Sequence, residues 1–253
     1  MRSIINNKKG FSLVELIIVI AIMAILSAAI TPAVIRYIEK ARKARDVEVA
    51  QTIVDAAGLA MTTSEDNAYY GWTACVDFYK NTNYPATVLA NEDGSPADWN
   101  IAWNKKPGKG QYTIRPVAWC RGVRYNITYG KTAEWQNTLF KSTLDDTGEI
   151  GTSQRDYTNE FLWCLSQEMA TGGTDKGNRN YDGETDLNMS IKYNKPLDCK
   201  AGPYKGQKVQ PELWIVYRRD DTGAAEVWTG YKKSGSNIAP LYRVYPSPSK
   251  EYR

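Results

Sequence analysis

Histidine is absent from all 253 residues, which excludes Ser-His-Asp triads, Cys-His dyads and imidazole metal ligands at a stroke. Cysteine is scarce: Cys75, Cys120, Cys164 and Cys199 stand far apart, with no C-x-x-C pair. Surplus charge is scarce too. The formal charge is +4, but Arg2, Lys8 and Lys9 lie in the first ten residues, which hold no acid, and the rest of the chain carries 29 basic against 28 acidic residues. Such a balance exerts no global pull on nucleic acid, whose binding needs clustered Lys and Arg; only a local patch would do so. No low-complexity tract argues for disorder. No pair of carboxylates is assigned catalytic geometry, because the separation that matters is spatial.

What the chain does have is a long apolar run. Residues 11–30 read FSLVELIIVIAIMAILSAAI, with Glu15 as the one charge, about the ~20 residues a helix needs to cross hydrocarbon. An ordinary secretory signal is the competing reading, since Lys8 and Lys9 form a basic leader and Ser27-Ala28-Ala29 loosely fits a cleavage site. Two features oppose it. Glu15 interrupts what would be a purely apolar core, and helical periodicity continues past the supposed cut. Val34, Ile38, Ala41, Val47, Ala50, Val54, Ala57 and Met61 recur mostly at steps of three or four, while Arg36, Lys40, Lys43 and Asp55 lie elsewhere around the helix. Residues 11–61 are therefore expected to be one helix, roughly 75 Å long at 1.5 Å per residue, followed by a head over 62–253.

Lys8-Lys9-Gly10-Phe11-Ser12-Leu13-Val14-Glu15 resembles the class III signal of type IV pilins, pseudopilins and competence pilins, and the resemblance covers residues 1 to about 61. It implies a leader peptide over 1–10, cleavage after Gly10 by a prepilin peptidase, methylation of the new amine on Phe11, and a filament core formed by 11–30. Pro32 matches the proline usual in that family.

Elementary chemistry supports the spacing. A carboxylate in hydrocarbon costs on the order of 3 kcal/mol, so Glu15 needs a cation. Cleavage after Gly10 makes one: the Phe11 ammonium lies one helical turn from Glu15, within reach in the same chain or in a neighbour packed one step along. The resemblance favours the neighbour, with Glu15 setting the register of assembly. Snorkelling of Glu15 to water at the membrane edge is the bland alternative. Gly10 is small, which suits a protease that must reach the backbone; a hinge ahead of the helix is its ordinary reading. Pro32 removes the partner of the Ala28 carbonyl, so a bend is expected there. Arg36, Lys40, Arg42, Lys43 and Arg45 outnumber the leader's cations, so charge alone does not orient the span. Glu39 and Asp46 partly offset them, and Glu39 precedes Lys43 by four residues, as on a solvated helix face.

Beyond Met61 the composition suits a loop-rich α+β head. A helix is expected near Ala68–Tyr79, with others over 133–144 and 159–170. Strand alternation covers Tyr112–Ile114 and Val117–Trp119, then Val123–Tyr129 after a turn at Arg121-Gly122. Leu213–Arg218 and Ala225–Tyr231 flank Asp220-Asp221-Thr222-Gly223 and should form a hairpin, with Leu241–Tyr245 as a third strand. The expected fold is α+β: a long amino-terminal helix packed on an antiparallel sheet, with two small sheets allowed by the length of the head.

On an exported head the four cysteines suggest two disulfides. Cys75–Cys120 and Cys164–Cys199 each close a moderate loop, although four cysteines permit three pairings, and buried thiols or a zinc site sharing some of them are alternatives. Pilins often bracket the carboxyl-terminal region with a disulfide; here 54 residues follow Cys199, so that pattern is not matched cleanly. The acidic stretch Asp175–Asp186 departs from the EF-hand order and reads as a solvated loop, as do Asp145, Asp146 and Glu149. Eight tryptophans fill cores or interfaces by default. Trp99 and Trp103 sit in a polar stretch beside Lys105, Lys106 and Lys109, where sugar adhesion or a small DNA- or surface-binding patch is the alternative.

No cofactor and no enzymatic role are expected. The resemblance implies a filament subunit whose partners are copies of itself, the prepilin peptidase, an assembly machine and the cytoplasmic membrane, with a surface or carbohydrate ligand as a further candidate. A secretion pseudopilin or a competence pilin for DNA uptake shares the same amino terminus. An exported, anchored binding module or enzyme is the remaining class.

Overall fold

The computed structural model describes residues 12–62, 87–99, 105–121, 124–127, 136–137, 164–165, 185–188, 190–232 and 238–253. Helix α1 (Leu13–Thr62) runs 50 residues without interruption, close to the 11–61 expected. Gly58 and Pro32 are its sole glycine and proline, so little opposes helix along its length. It spans two compact units that divide between Ala41 and Arg42.

In the first unit every apolar side chain from Leu13 to Ile38 is exposed, and this stretch makes α1 the one described helix long and apolar enough to cross a membrane. In the second unit the same helix acquires a buried face: Asp46, Val49, Ala50, Ile53, Ala56, Ala57 and Ala60. The steps of three and four are those of one helical stripe. Four of the seven are alanines, short enough to let a sheet approach the helix backbone closely. The buried stripe thus centres on Val49, Ile53, Ala56 and Ala60, while the expected Val47, Val54 and Met61 are partly buried on its flank.

The head is built on strands β1 (Val88–Asn91), β2 (Pro96–Trp99), β3 (Gln111–Arg121), β4 (Arg124–Ile127), β5 (Gln136–Asn137), β6 (Thr185–Asn188), β7 (Leu197–Asp198), β8 (Lys208–Val209), β9 (Leu213–Arg219), β10 (Ala225–Lys232) and β11 (Ile238–Tyr245). The main sheet is antiparallel in the order β11-β10-β9-β3-β1-β2, with β5 pairing further along β3. Strands β4 and β6 form a second small sheet, and β7 and β8 a third pair. The α+β class and the antiparallel head therefore stand as expected, as does the β9–β10 hairpin. Its turn closes where Gly223 takes φ 72° and donates its N–H to the Arg219 carbonyl at 2.8 Å, a backbone state that favours glycine.

One expectation is overturned. Gln136 and Asn137 lie opposite Trp119 and Ala118 as strand β5, so the expected 133–144 helix gives way to strand there; the rest of that stretch lies outside the described residues. Strand β3 is eleven residues long and β1 covers only Gln111–Ile114; the uncovered length needs hydrogen-bond partners, and that demand outweighs local helix propensity. Cys164 and Leu165 are helical and buried, inside the expected 159–170 helix, whose other residues lie outside those described, as does 68–79. Strand β4 pairs with β6 rather than folding back on β3, and β11 begins three residues earlier than expected.

Both faces of the main sheet are buried. Trp214, Val216, Val227 and Leu241 join the core under α1, whereas Leu213, Ile215, Tyr217, Trp228 and Ile238 join Val88, Ala90, Tyr112 and Ile114 in a second core. Curling explains this. The two ends of the strand order come together where the Arg243 N–H donates to the Gly94 carbonyl at 2.8 Å and the Trp99 indole N–H to the Ile238 carbonyl at 3.1 Å. The sheet wraps around the second core and packs its outer face on α1.

Candidate assembly site

Ser12 precedes the first turn of α1, and Glu15 is its third helical residue. The Glu15 carboxylate accepts the Ser12 backbone N–H at 3.0 Å, and the Ser12 hydroxyl accepts the Val14 N–H at 3.3 Å. This is a capping box, closing a helix end whose first N–H groups have no intrahelical partner. Glu15 therefore has a role that the charge argument passes over, and the Ser-x-x-Glu spacing was its signal. Its carboxylate thus folds back over Ser12 at the start of the helix. Gly10 and Phe11 themselves lie outside the described residues. Around Glu15 the surface is hydrocarbon: Leu13, Val14, Leu16, Ile17, Ile18, Val19 and Ile20 are 42–73% exposed, an apolar patch far beyond what a monomer in water tolerates.

Pro32 sits inside unbroken helix. The Thr31 hydroxyl donates to the Ser27 carbonyl at 2.6 Å, side-chain back-bonding of a kind that accompanies irregular helix geometry near proline.

Further along, α1 anchors the head through a group that the charge pattern alone places on a solvated face. Asp46 is fully buried, and its two oxygens accept the backbone N–H groups of Lys192 and Tyr193 at 2.7 and 2.8 Å. Burial pushes its carboxyl up to about 6, against the opposing pull of those two N–H groups and of Lys192 and Arg45. One turn earlier, Lys43 donates to the Arg253 carbonyl at 3.3 Å and lies 4.9 Å from the centre of the Tyr193 ring, itself edge-on to buried Tyr252. Lys43 thus helps dock the segment around the short 3-10 turn Lys250–Tyr252.

The second core holds buried charge. Glu226 accepts from the Trp228 indole at 2.8 Å and from the Tyr112 hydroxyl at 3.0 Å, and pairs with Arg243 at 3.3 Å. Arg243 also donates to the Tyr112 hydroxyl, to the Glu92 carbonyl at 2.8 Å and to the Ser247 carbonyl at 2.9 Å. Desolvation raises the Glu226 carboxyl while Arg243 opposes it. These partners come from five separate stretches of chain, so the network ties the curl shut. Its mutually satisfied hydrogen bonding is that of a structural plug.

Of the cysteines, Cys164 and Cys199 are buried in the same core under α1 with no disulfide joining them, against the expected pairing of the two. Cys199 lies with Sγ 2.9 Å from the Ala201 carbonyl and 3.5 Å from the Tyr231 hydroxyl. Cys120 is on β3, opposite Trp214, and Cys75 lies outside the described residues, as does Trp103. Trp99 is half-buried, with its indole N–H committed to Ile238. No group of three or more Cys, Asp or Glu suited to a metal occurs among the described residues.

Helix α1 is thus apolar and exposed in the first unit and buried along one stripe in the second. A family profile described as the prokaryotic N-terminal methylation motif matches residues 5–31, spanning Gly10, Phe11, Glu15 and the start of α1. Residues 5–31 therefore carry a class III signal of the kind found on type IV pilin-like and pseudopilin precursors, which with the apolar start of α1 is consistent with a membrane-anchored precursor. No curated protein and no solved structure matches the chain.

Proposed function

We propose that this chain is a structural subunit of a type IV pilus, cut after Gly10, methylated on Phe11, and drawn from the cytoplasmic membrane into an extracellular filament that serves adhesion or motility. The observation that carries the reading is the joining of the methylation motif to a helix that is apolar and exposed from Leu13 to Ile38, then buried from Asp46 onward. An exposed hydrocarbon rod needs lipid before assembly and neighbouring rods after it. In the filament the Phe11 ammonium of one subunit meets Glu15 of the next, and a disulfide Cys75–Cys120 braces the head. A pseudopilin or competence pilin would use the same helix in a shorter fibre, and filament length in cells separates the two.

Glu15→Gln is the discriminating substitution. Glutamine preserves the capping box but not the charge. An ammonium left unpaired in hydrocarbon costs on the order of 3 kcal/mol, so membrane insertion and processing should persist while surface filament falls about tenfold or more. Normal filament yield in Glu15→Gln would refute the pairing. Amino-terminal sequencing and intact mass of the surface protein test the rest: a mature chain that retains residues 1–10 is incompatible with this function.

A further inference from the structure

Two lysine clusters, far apart in the chain, meet beside β2. Lys105, Lys106 and Lys109 lie in the loop before β3, and Lys200, Lys205 and Lys208 in and around the β7–β8 hairpin; all six are exposed. Their adjacency rests on two contacts. A Cβ placed on Gly202 of the hairpin would stand 3.7 Å from the Trp99 ring. Next door, Asp98 is ion-paired with Lys105, whose ammonium is the main influence holding that carboxyl below its usual range, and Lys205 adds its field to the same group.

Segments 96–110 and 197–209 together hold six lysines against two carboxylates, Asp98 and Asp198. Their net charge equals the +4 of the whole chain, although the chain without its first ten residues is only +1, so the remainder is acidic by about the same margin. The neighbouring acids are engaged elsewhere: Glu92 is bridged to Arg219 at 2.7 Å and Asp93 accepts from the Ser95 hydroxyl at 2.7 Å. Apart from Lys105, none of the six makes an ion pair among the described residues. These two segments carry positive charge out of proportion to the near-neutral chain.

We propose that this face binds the phosphodiester backbone of double-stranded DNA, without reading sequence. Lysine supplies mobile point charges rather than the planar fork of arginine, which suits contact to a charged backbone more than geometric recognition of one group. Stacking platforms, which single strands and neutral sugars require, are missing among the described residues of this face. Trp99 is turned inward to Ile238, and Tyr204 packs against Tyr231 with ring centres 5.4 Å apart. A surface read by charge alone favours the polyanion of highest linear density, and duplex DNA carries about one charge per 1.7 Å.

The test uses the full-length protein in a non-ionic detergent and a labelled duplex of arbitrary sequence, with affinity followed by fluorescence anisotropy across about 50–200 mM salt. With three to five lysines engaged, log affinity should fall against log salt with a slope of about −3 to −5. The pairs Lys106→Gln/Lys109→Gln and Lys205→Gln/Lys208→Gln should each bring the slope about 2 units nearer zero. Arg36→Gln/Lys40→Gln, outside both segments, should leave it unchanged. Circular dichroism should show all variants folded, since the replaced side chains are exposed. Slopes that respond equally to both kinds of variant overturn the proposal, as does no binding at the lowest salt. Equal or tighter binding of a sulfated polysaccharide at matched charge concentration overturns the assignment to DNA. The assay does not depend on filament formation, so its failure and that of the pilus reading are separable.

Discussion

Asp46 offers the most direct quantitative test of how the helix holds the head. Its carboxyl, fully buried between α1 and the segment at Lys192–Tyr193, is shifted from 3.8 in the unfolded chain to about 6 in the folded protein. A folded-state value above the unfolded one means that the folded protein binds the proton more tightly, so this group's contribution to stability is fully present below pH ~3.8 and is lost as pH rises through ~6. At about 1.36 kcal/mol per pH unit, the full swing is about 3 kcal/mol. Glu226 and Asp220 are also shifted upward by burial, which makes the raw pH profile of the wild type a composite. Comparison with Asp46→Asn removes their share, because both groups are common to the two proteins. Thermal unfolding in detergent, followed by near-ultraviolet circular dichroism from about pH 3 to about pH 7, should show the wild type gaining on the variant by about 3 kcal/mol at the acid end. For a head of this size that is a relative shift of about 6–12 °C in Tm. Parallel profiles for the two proteins would refute the reasoning, and so would a wild type that loses ground on acidification.

Two further outcomes concern the curled sheet. Arg243→Met removes the nearer cation of buried Glu226, leaving it Arg219 at 4.0 Å, and should cost about 3 kcal/mol in denaturant unfolding, whereas Arg243→Met with Glu226→Gln should recover part of that loss. Gly230→Ala places a methyl 2.4 Å from Ile215 Cδ1 and 2.5 Å from the Ala239 carbonyl; it should lower stability by about 1–3 kcal/mol, and Ile215→Ala in the same protein should not rescue it, because the backbone oxygen stays where it is.

How much of this was readable in advance follows from which forces act locally. The anchor, the Glu15 anomaly and the β9–β10 hairpin depend on neighbours in sequence, and periodicity and turn chemistry reveal them. Strands β1 and β2 went unread because each has four residues and because Val88, Leu89 and Ala90 are all buried: a curled sheet covered on both faces erases the alternation that betrays a strand. Asp46 looked like one charge among several because nothing nearby in sequence announces two N–H groups 146 and 147 residues away that need an acceptor. Glu226 and Arg243 are opaque for the same reason, being intelligible only once β10 and β11 are side by side. The lysines of 105–109 were visible as a cluster, but their partners at 200–208 became neighbours only through the fold.

The meeting of the sheet's two ends at Gly94–Arg243 and Trp99–Ile238 has a bearing on crowding. Unpaired strand borders invite any passing chain to extend the ladder, the usual route to irreversible clumping. Here β2 and β11 shield one another, so the main sheet has closed off its own most adhesive margins. In the filament proposed above, closely stacked subunits would thus be spared fusing into a cross-strand aggregate, and cohesion would be left to the oily rods.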